Sequence, residues 1–182
     1  MTLNQLLKEV YALGFDEVDE LHENFIFAVN RALKMIYTEL VASERLKISV
    51  NADDEKSIDL REREDGILFI TSAPLDSNGF IIKGARVDGY TIFLPNSFSG
   101  DAFVYYKPAP KTVTLDHGEY NLSIPEYATH LLPLLVAFFV LLDDDGEKAD
   151  YYMSLYRNEA MKITRSYTFM QNNTYTDVTG WA

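Results

Sequence analysis

From Leu131 to Leu142 the chain reads LLPLLVAFFVLL, with no charged or hydrogen-bonding side chain. A helix that is apolar all round must be covered all round. The segment therefore predicts a core helix wrapped by the rest of its own fold or by other subunits. Pro125 suits a first helical position, whereas Pro133 removes a backbone bond and crowds the preceding turn. These two prolines predict a short helical turn near Glu126–His130, a kink, and a straight helix from about Pro133 to Leu142. Asp143 to Asp145 end that helix and cap the next. The next helix covers about Glu147 to Arg165, with Ala149, Tyr152, Met153, Tyr156, Ala160 and Ile163 inward at helical spacing.

The N-terminal part has the same period. Leu3, Leu6, Leu7, Val10 and Tyr11 predict a helix over Thr2 to Leu13, with Thr2 as its cap and Gly14 at its end. A longer helix follows from about Glu17 to Ala42, capped by Asp16 or Asp19. Its stripe is Leu21, Phe25, Ala28, Val29, Ala32, Leu33, Ile36, Tyr37 and Leu40.

From Leu46 the period changes to two. Lys47–Val50 and Ser57–Leu60 alternate, and Gly66–Thr71 is a β-type run after the turn pair Asp65-Gly66. Asn78-Gly79 and Asp88-Gly89 are further turn pairs. They bound expected strands at Phe80–Lys83, Tyr90–Leu94 and Ala102–Tyr106. Val113 and Leu115 suggest an edge strand, with Pro108 and Pro110 forbidding ladder bonds just before it. Residues 46 to about 115 thus read as one small antiparallel sheet of five or six strands. Ser166–Ala182 carries no charge except Asp177 and has no clear period.

The expected fold class is α+β: an antiparallel bundle of about four helices, an inserted antiparallel β-sheet domain and an extended C-terminal arm. The segments are 1–45 (first helix pair), 46–118 (β insertion), 119–165 (second helix pair) and 166–182 (arm).

Composition narrows the partners. The 182 residues suit one domain, or one domain with an insertion, and a chain of this length buries roughly 70% of its unfolded surface. The absence of cysteine excludes disulfides and thiolate metal sites. Met1-Thr2-Leu3-Asn4 does not read as a signal peptide. Leu131–Leu142 spans about 18 Å as a helix, too short to cross a bilayer, so no membrane is expected. The net charge of −12 opposes tight nucleic-acid binding, which depends on Lys and Arg displacing counterions. It leaves open a negatively charged wall past which DNA slides.

Little in the sequence points to catalysis. His22, His117 and His130 include two carboxylate–histidine pairs at helical spacing, with Asp19 and Glu126. The di-metal bundle pattern needs Glu-x-x-His motifs, and none occurs. Asp143-Asp144-Asp145-Gly146-Glu147 resembles a calcium loop, but that loop needs a Glu at its twelfth position, which here is Ser154. Asp59, Glu62, Glu64 and Asp65 could pair as sugar-hydrolysing carboxylates, yet they lie in a polar stretch with Arg61 and Arg63. Phosphate-binding glycine loops and nucleophile elbows are missing. The expectation is a non-enzyme without cofactor or metal. The aromatic residues suggest contact surfaces instead. In the tail Tyr167, Phe169, Tyr175 and Trp181 are candidate partner-binding residues, since Trp and Tyr favour interfaces. Phe138, Phe139, Tyr151 and Tyr156 are candidate subunit-interface residues.

Several segments together resemble a known family. They are Ala28-x-x-x-Ala32; Gly100-x-x-x-Val104-Tyr105-Tyr106-Lys107-Pro108-x-Pro110; Ile124-Pro125; Leu131-Leu132-Pro133-Leu134; Leu142-Asp143-Asp144-Asp145; and Lys148-Ala149-x-Tyr151-Tyr152-x-x-x-Tyr156. This pattern is similar to the head–tail connector (adaptor, or head-completion) proteins of tailed bacteriophages. The resemblance is clearest over about 100–165 and includes no catalytic residue. It implies a structural virion protein in the neck, at the head–tail interface, assembled in the host cytoplasm. It also implies a homo-oligomeric, usually dodecameric ring between the portal protein and a tail or tail-completion protein. DNA would pass through the ring without specific binding, and the arm would reach towards the portal. The alternative is a tail- or baseplate-associated binding module, whose β insertion recognises a protein or surface ligand through Tyr90, Tyr105 or Tyr106.

Overall fold

The structure, a computed structural model, describes residues 1–15, 23–61, 63, 66–114 and 121–172, with 166–172 as backbone only. The described residues form four α-helices and two three-stranded antiparallel sheets. They divide into two compact units, one made of residues 1–36 and 112–182, the other of residues 37–111.

In the first unit, α1 spans Leu3–Ala12. Thr2 and Gln5 form a reciprocal capping box at its start: the Gln5 N–H donates to Thr2 Oγ1 at 3.2 Å, and the Thr2 N–H to Gln5 Oε1 at 2.8 Å. The apolar spacing buries Leu3 and Leu6 completely and leaves Val10 2% exposed. Complete burial of such side chains stabilises by about 1.5–3 kcal/mol each. Helix α2 spans Glu23–Glu39 and buries Phe25, Ala28, Val29, Ala32, Leu33 and Ile36. The expected start of this helix, its proposed caps Asp16 and Asp19, and Leu21 lie outside the described residues.

A 3-10 turn over Glu126–Leu131 leads directly into α3, Leu132–Leu141. Pro133 lies within the first turn of α3, where a missing N–H breaks no helical bond, so the chain changes helix type there and the proline does not interrupt the helix. The proximal part of α3 is buried on all sides at Leu132, Pro133, Leu135, Val136 and Ala137. Its remaining residues, Leu134, Phe138, Phe139, Val140 and Leu141, are only half-buried, and Leu142 beyond them is 40% exposed.

Helix α4 spans Gly146–Asn172 and packs along α3. Asp145 caps it, its carboxylate accepting the Lys148 N–H at 3.1 Å. The helix continues past Arg165, so the extended arm expected from Ser166 is helical to Asn172. Ala149, Tyr152, Met153, Tyr156 and Ala160 face the core as the spacing predicts.

Val113 does not form the expected edge strand. Its N–H donates to Asn30 Oδ1 at 2.8 Å, and its carbonyl accepts from Asn30 Nδ2 at 2.9 Å. One side chain of α2 thus supplies both bonds that a neighbouring strand would have made. Leu115 lies outside the described residues.

In the second unit, β1 (Glu44–Val50) and β3 (Ile67–Ile70) flank β6 (Gly100–Pro108), while β2 (Ser57–Asp59) and β4 (Arg86–Asp88) flank β5 (Thr91–Phe93). The single sheet expected from the sequence is therefore two. Registers Leu46↔Val104 and Ile48↔Ala102 in one sheet, and Ile58↔Ile92 and Val87↔Ile92 in the other, bring apolar side chains into one shared core. Strand β4, unexpected from the sequence, forms a tight hairpin with β5 around Gly89, whose φ is +58°.

The expected strand Phe80–Lys83 is a loop with one bridge, Leu75↔Ile81. The Asp76 carboxylate accepts the N–H groups of Asn78 and Phe80, both at 2.9 Å, and the Asp76 N–H donates to the Phe80 carbonyl at 2.8 Å. The Asp76 carboxylate takes the Phe80 N–H from the ladder, so pairing stops at this bridge, flanked by the Asp76–Phe80 and Ile82–Pro74 main-chain bonds. Phe80 and Ile81 stand 71% and 68% exposed at the tip.

Candidate functional site: an aromatic cleft

A cleft of about 520 Å³ lies in the first unit, between α1, α2 and the distal end of α3. Three pieces of the sequence build it. From α1 and its end come Leu7, Val10, Tyr11 and Phe15, from the N-terminal half of α2 Asn24, Phe25, Phe27 and Arg31, and from α3 and the following turn Phe139, Val140, Leu142, Asp143 and Asp144. The α2 contribution follows from helical phase. Phe25, Ala28, Val29 and Ala32 occupy the core stripe, and Phe27 and Arg31, one turn apart, share a different face.

Arg31 is the organising charge. Its guanidinium carbon lies 4.6 Å from the Phe139 ring centroid and 5.5 Å from that of Phe27, both within cation–π range. Among the described residues it forms no ion pair. Phe139 leans on Phe138 with centroids 4.8 Å apart, while Phe27 remains 63% exposed. Among the described residues the cleft thus offers aromatic faces, a cation outside any ion pair and, from Asp143 and Asp144, an acidic border. No group of three or more potential metal ligands occurs among the described residues.

The expected interface residues separate. Phe138 and Phe139 are half-buried on α3, and Phe139 enters the cleft. Tyr151 is 59% exposed, its ring 5.4 Å from that of Tyr152. Tyr156 is fully buried in its own unit, so it presents nothing to another subunit; its position on the inner stripe of α4 fixes that. Tyr167 and Phe169 lie along α4, with side chains outside the description, and Tyr175 and Trp181 lie outside the described residues.

The tyrosines of the alternative reading do not share an outer face. Tyr106 is 5% exposed and donates to Glu44 at 2.7 Å, and Tyr90 donates to the Leu68 carbonyl at 2.8 Å. Tyr105 alone is exposed, at 38%.

The carboxylates weighed for catalysis take local roles. Asp59 binds the Arg61 side chain and N–H, and these bonds hold its carboxyl below the usual carboxylate range. Glu62, Glu64 and Asp65 lie outside the described residues, as do His22 and His117. His130 is exposed.

Phe27 and Arg31 went unnoticed in the sequence. The available signal was an aromatic out of phase with the apolar stripe of its helix, followed one turn later by a cation. No protein-family model matches the chain, and no curated protein does.

Proposed function

We propose that this chain is a structural, non-enzymatic subunit of a tailed-bacteriophage neck, an adaptor whose copies form a ring between portal and tail. In this reading the four helices make an antiparallel bundle that serves as the ring wall. Residues 37–111 form an inserted β module, and the segment beyond α4 serves as an extended arm that docks on a partner. The ring is dodecameric, meets the portal on one side and a tail or tail-completion protein on the other, and lets DNA pass without specific binding. The acidic balance of the chain suits such a channel.

One observation carries the reading: among the described residues, the apolar helix α3 is only partly covered. Five of its residues, Leu134, Phe138, Phe139, Val140 and Leu141, keep part of their surface in water, with Leu142 beyond them. Apolar surface left in water at one helix end, with Leu134, Phe138, Leu141 and Leu142 on one side, suits an association surface. The resemblance over 100–165 supplies the kind of assembly. No helix among the described residues is long and apolar enough to cross a membrane. Native mass spectrometry of the chain with and without a portal ring tests the proposal. A ring that binds the portal supports it, and a monomer that ignores the portal rejects it.

The tail- or baseplate-associated binding module is the weaker reading, because Tyr90 and Tyr106 are engaged within their own unit. The exposed pair Phe80–Ile81 is the observation in its favour.

A further inference from the structure

We propose that the aromatic cleft of α1, α2 and α3 receives the C-terminal aromatic segment of a second copy of this chain, with Trp181 laid against Phe27 and Arg31. The inference does not depend on the phage reading, because it concerns only copies of this chain with one another.

Geometry disfavours the chain's own segment as occupant, because it would have to run almost fully extended back along α4. The cleft wall at Leu142, Asp143 and Asp144 immediately precedes the first residue of α4, Gly146. Helix α4 has 27 residues, so at about 1.5 Å per residue its far end at Asn172 lies about 40 Å away. Trp181 follows Asn172 by nine residues, which even fully extended reach only about 30 Å. A second copy has no such limit.

Chemistry selects the segment. The cleft presents the exposed Phe27 ring and the Arg31 guanidinium, which lies over the Phe27 and Phe139 rings. Residues 173–182 carry one tryptophan, one tyrosine and a single charge, Asp177. An indole is the strongest cation–π partner for a guanidinium, and a segment with a single acid brings little repulsion to a rim that carries Asp143 and Asp144 beside Arg31. A segment held in this way ties one subunit to the next, so docking on a sibling and docking on a portal are alternative engagements of the same residues.

Trp181 is the single tryptophan of the chain, so its fluorescence reports its surroundings without labelling. In the wild type we expect the emission to move to the blue, and acrylamide quenching to fall several-fold, as protein concentration rises. Phe27→Glu and Arg31→Glu, both at exposed positions, should each abolish the shift while leaving the circular-dichroism spectrum unchanged. The decisive measurement mixes two full-length variants. Phe27→Glu carries the tryptophan but a spoiled cleft, and Trp181→Ala carries an intact cleft but no signal. Recovery of the blue shift on mixing supports the proposal. A blue shift in Phe27→Glu alone, a shift independent of concentration, no shift in the wild type, or no recovery on mixing each overturns it. No portal is present, so the outcome is separate from that of the proposed function.

Discussion

The side chain of Asn30 and the main chain of Val113 exchange two hydrogen bonds, at 2.9 and 2.8 Å, across 83 positions of sequence. Val113 is 3% exposed, so its N–H and carbonyl depend on this one amide. Asn30→Ala leaves two buried main-chain groups unpaired, and we expect a loss of about 2–3 kcal/mol of stability. Urea unfolding measures it, and a loss below about 0.5 kcal/mol, the scatter of ordinary surface changes, would show that the pair is dispensable.

Tyr156 and Tyr151 lie on one helix and should respond in opposite ways. Tyr156→Ala empties a fully buried position and should cost about 3–5 kcal/mol. Tyr151→Ser removes a ring that is 59% exposed and should change stability by less than about 0.5 kcal/mol. If Tyr151 belongs to a subunit contact, the same variant weakens self-association, which sedimentation analysis would detect. Unaltered association would remove Tyr151 from the interface.

Acid should unfold the chain partly through two carboxylates. Asp101 is held below the usual range by its bonds to Lys47 at 2.8 Å and Ser49 at 2.7 Å, and Asp59 by Arg61. A carboxyl whose folded pKa lies below its unfolded value of about 3.9 contributes its full stabilisation above that value. The contribution disappears as pH falls through the folded pKa. Asp101→Asn and Asp59→Asn should therefore flatten the decline of the urea midpoint below about pH 4. Both pairs are exposed and screened, so each effect is small and shrinks with salt. An unchanged acid limb in the double variant would show that neither carboxylate contributes.

Gly66 occupies the left-handed region, with φ +65°, and a Cβ there would lie 3.1 Å from the Ala109 Cβ. Its carbonyl accepts the Ala109 N–H at 3.3 Å, so the two backbones cannot separate freely. Gly66→Ala should cost about 1–2 kcal/mol from the dihedral alone. Thermal unfolding compared with Gly79→Ala, at a left-handed position with no neighbour within 4 Å, separates dihedral strain from crowding. Equal losses would show that the Ala109 contact is harmless.

Helices α1, α2 and α4 were legible because a single period governs them, and α3 because its run is apolar all round. Thr2 with Gln5 marks the start of α1, and the inner stripe of α4 is readable from Ala149 to Ala160. The sheets were less so. Alternation identifies a strand but not its partner, so β2 and β5 could not be separated from β1 and β6 by pattern alone. Strand β4 has only Val87 partly buried, too little for an apolar signal. The run Phe80–Lys83 looks like a strand until Asp76 closes a turn across it. The cleft was hidden because its residues come from three distant segments, and Phe27 with Arg31 looks like an ordinary exposed helix face until Phe139 arrives beneath the arginine.

The division into residues 37–111 and the two flanking stretches has a consequence for how the molecule comes to exist. Translation completes the contiguous β unit while the helical unit still lacks α3 and α4. Helix α1 is made before α3, against which it packs, so on emergence it lacks part of its final cover. The bond from the Tyr152 hydroxyl to the Leu13 carbonyl spans 139 positions, and contacts that close such long loops form slowly. Hydrogen exchange during refolding should accordingly protect β1 and β6 before α1, and the reverse order would contradict this sequence of events. During that interval on the ribosome, the greasy first turns of α1 are a natural target for a chaperone.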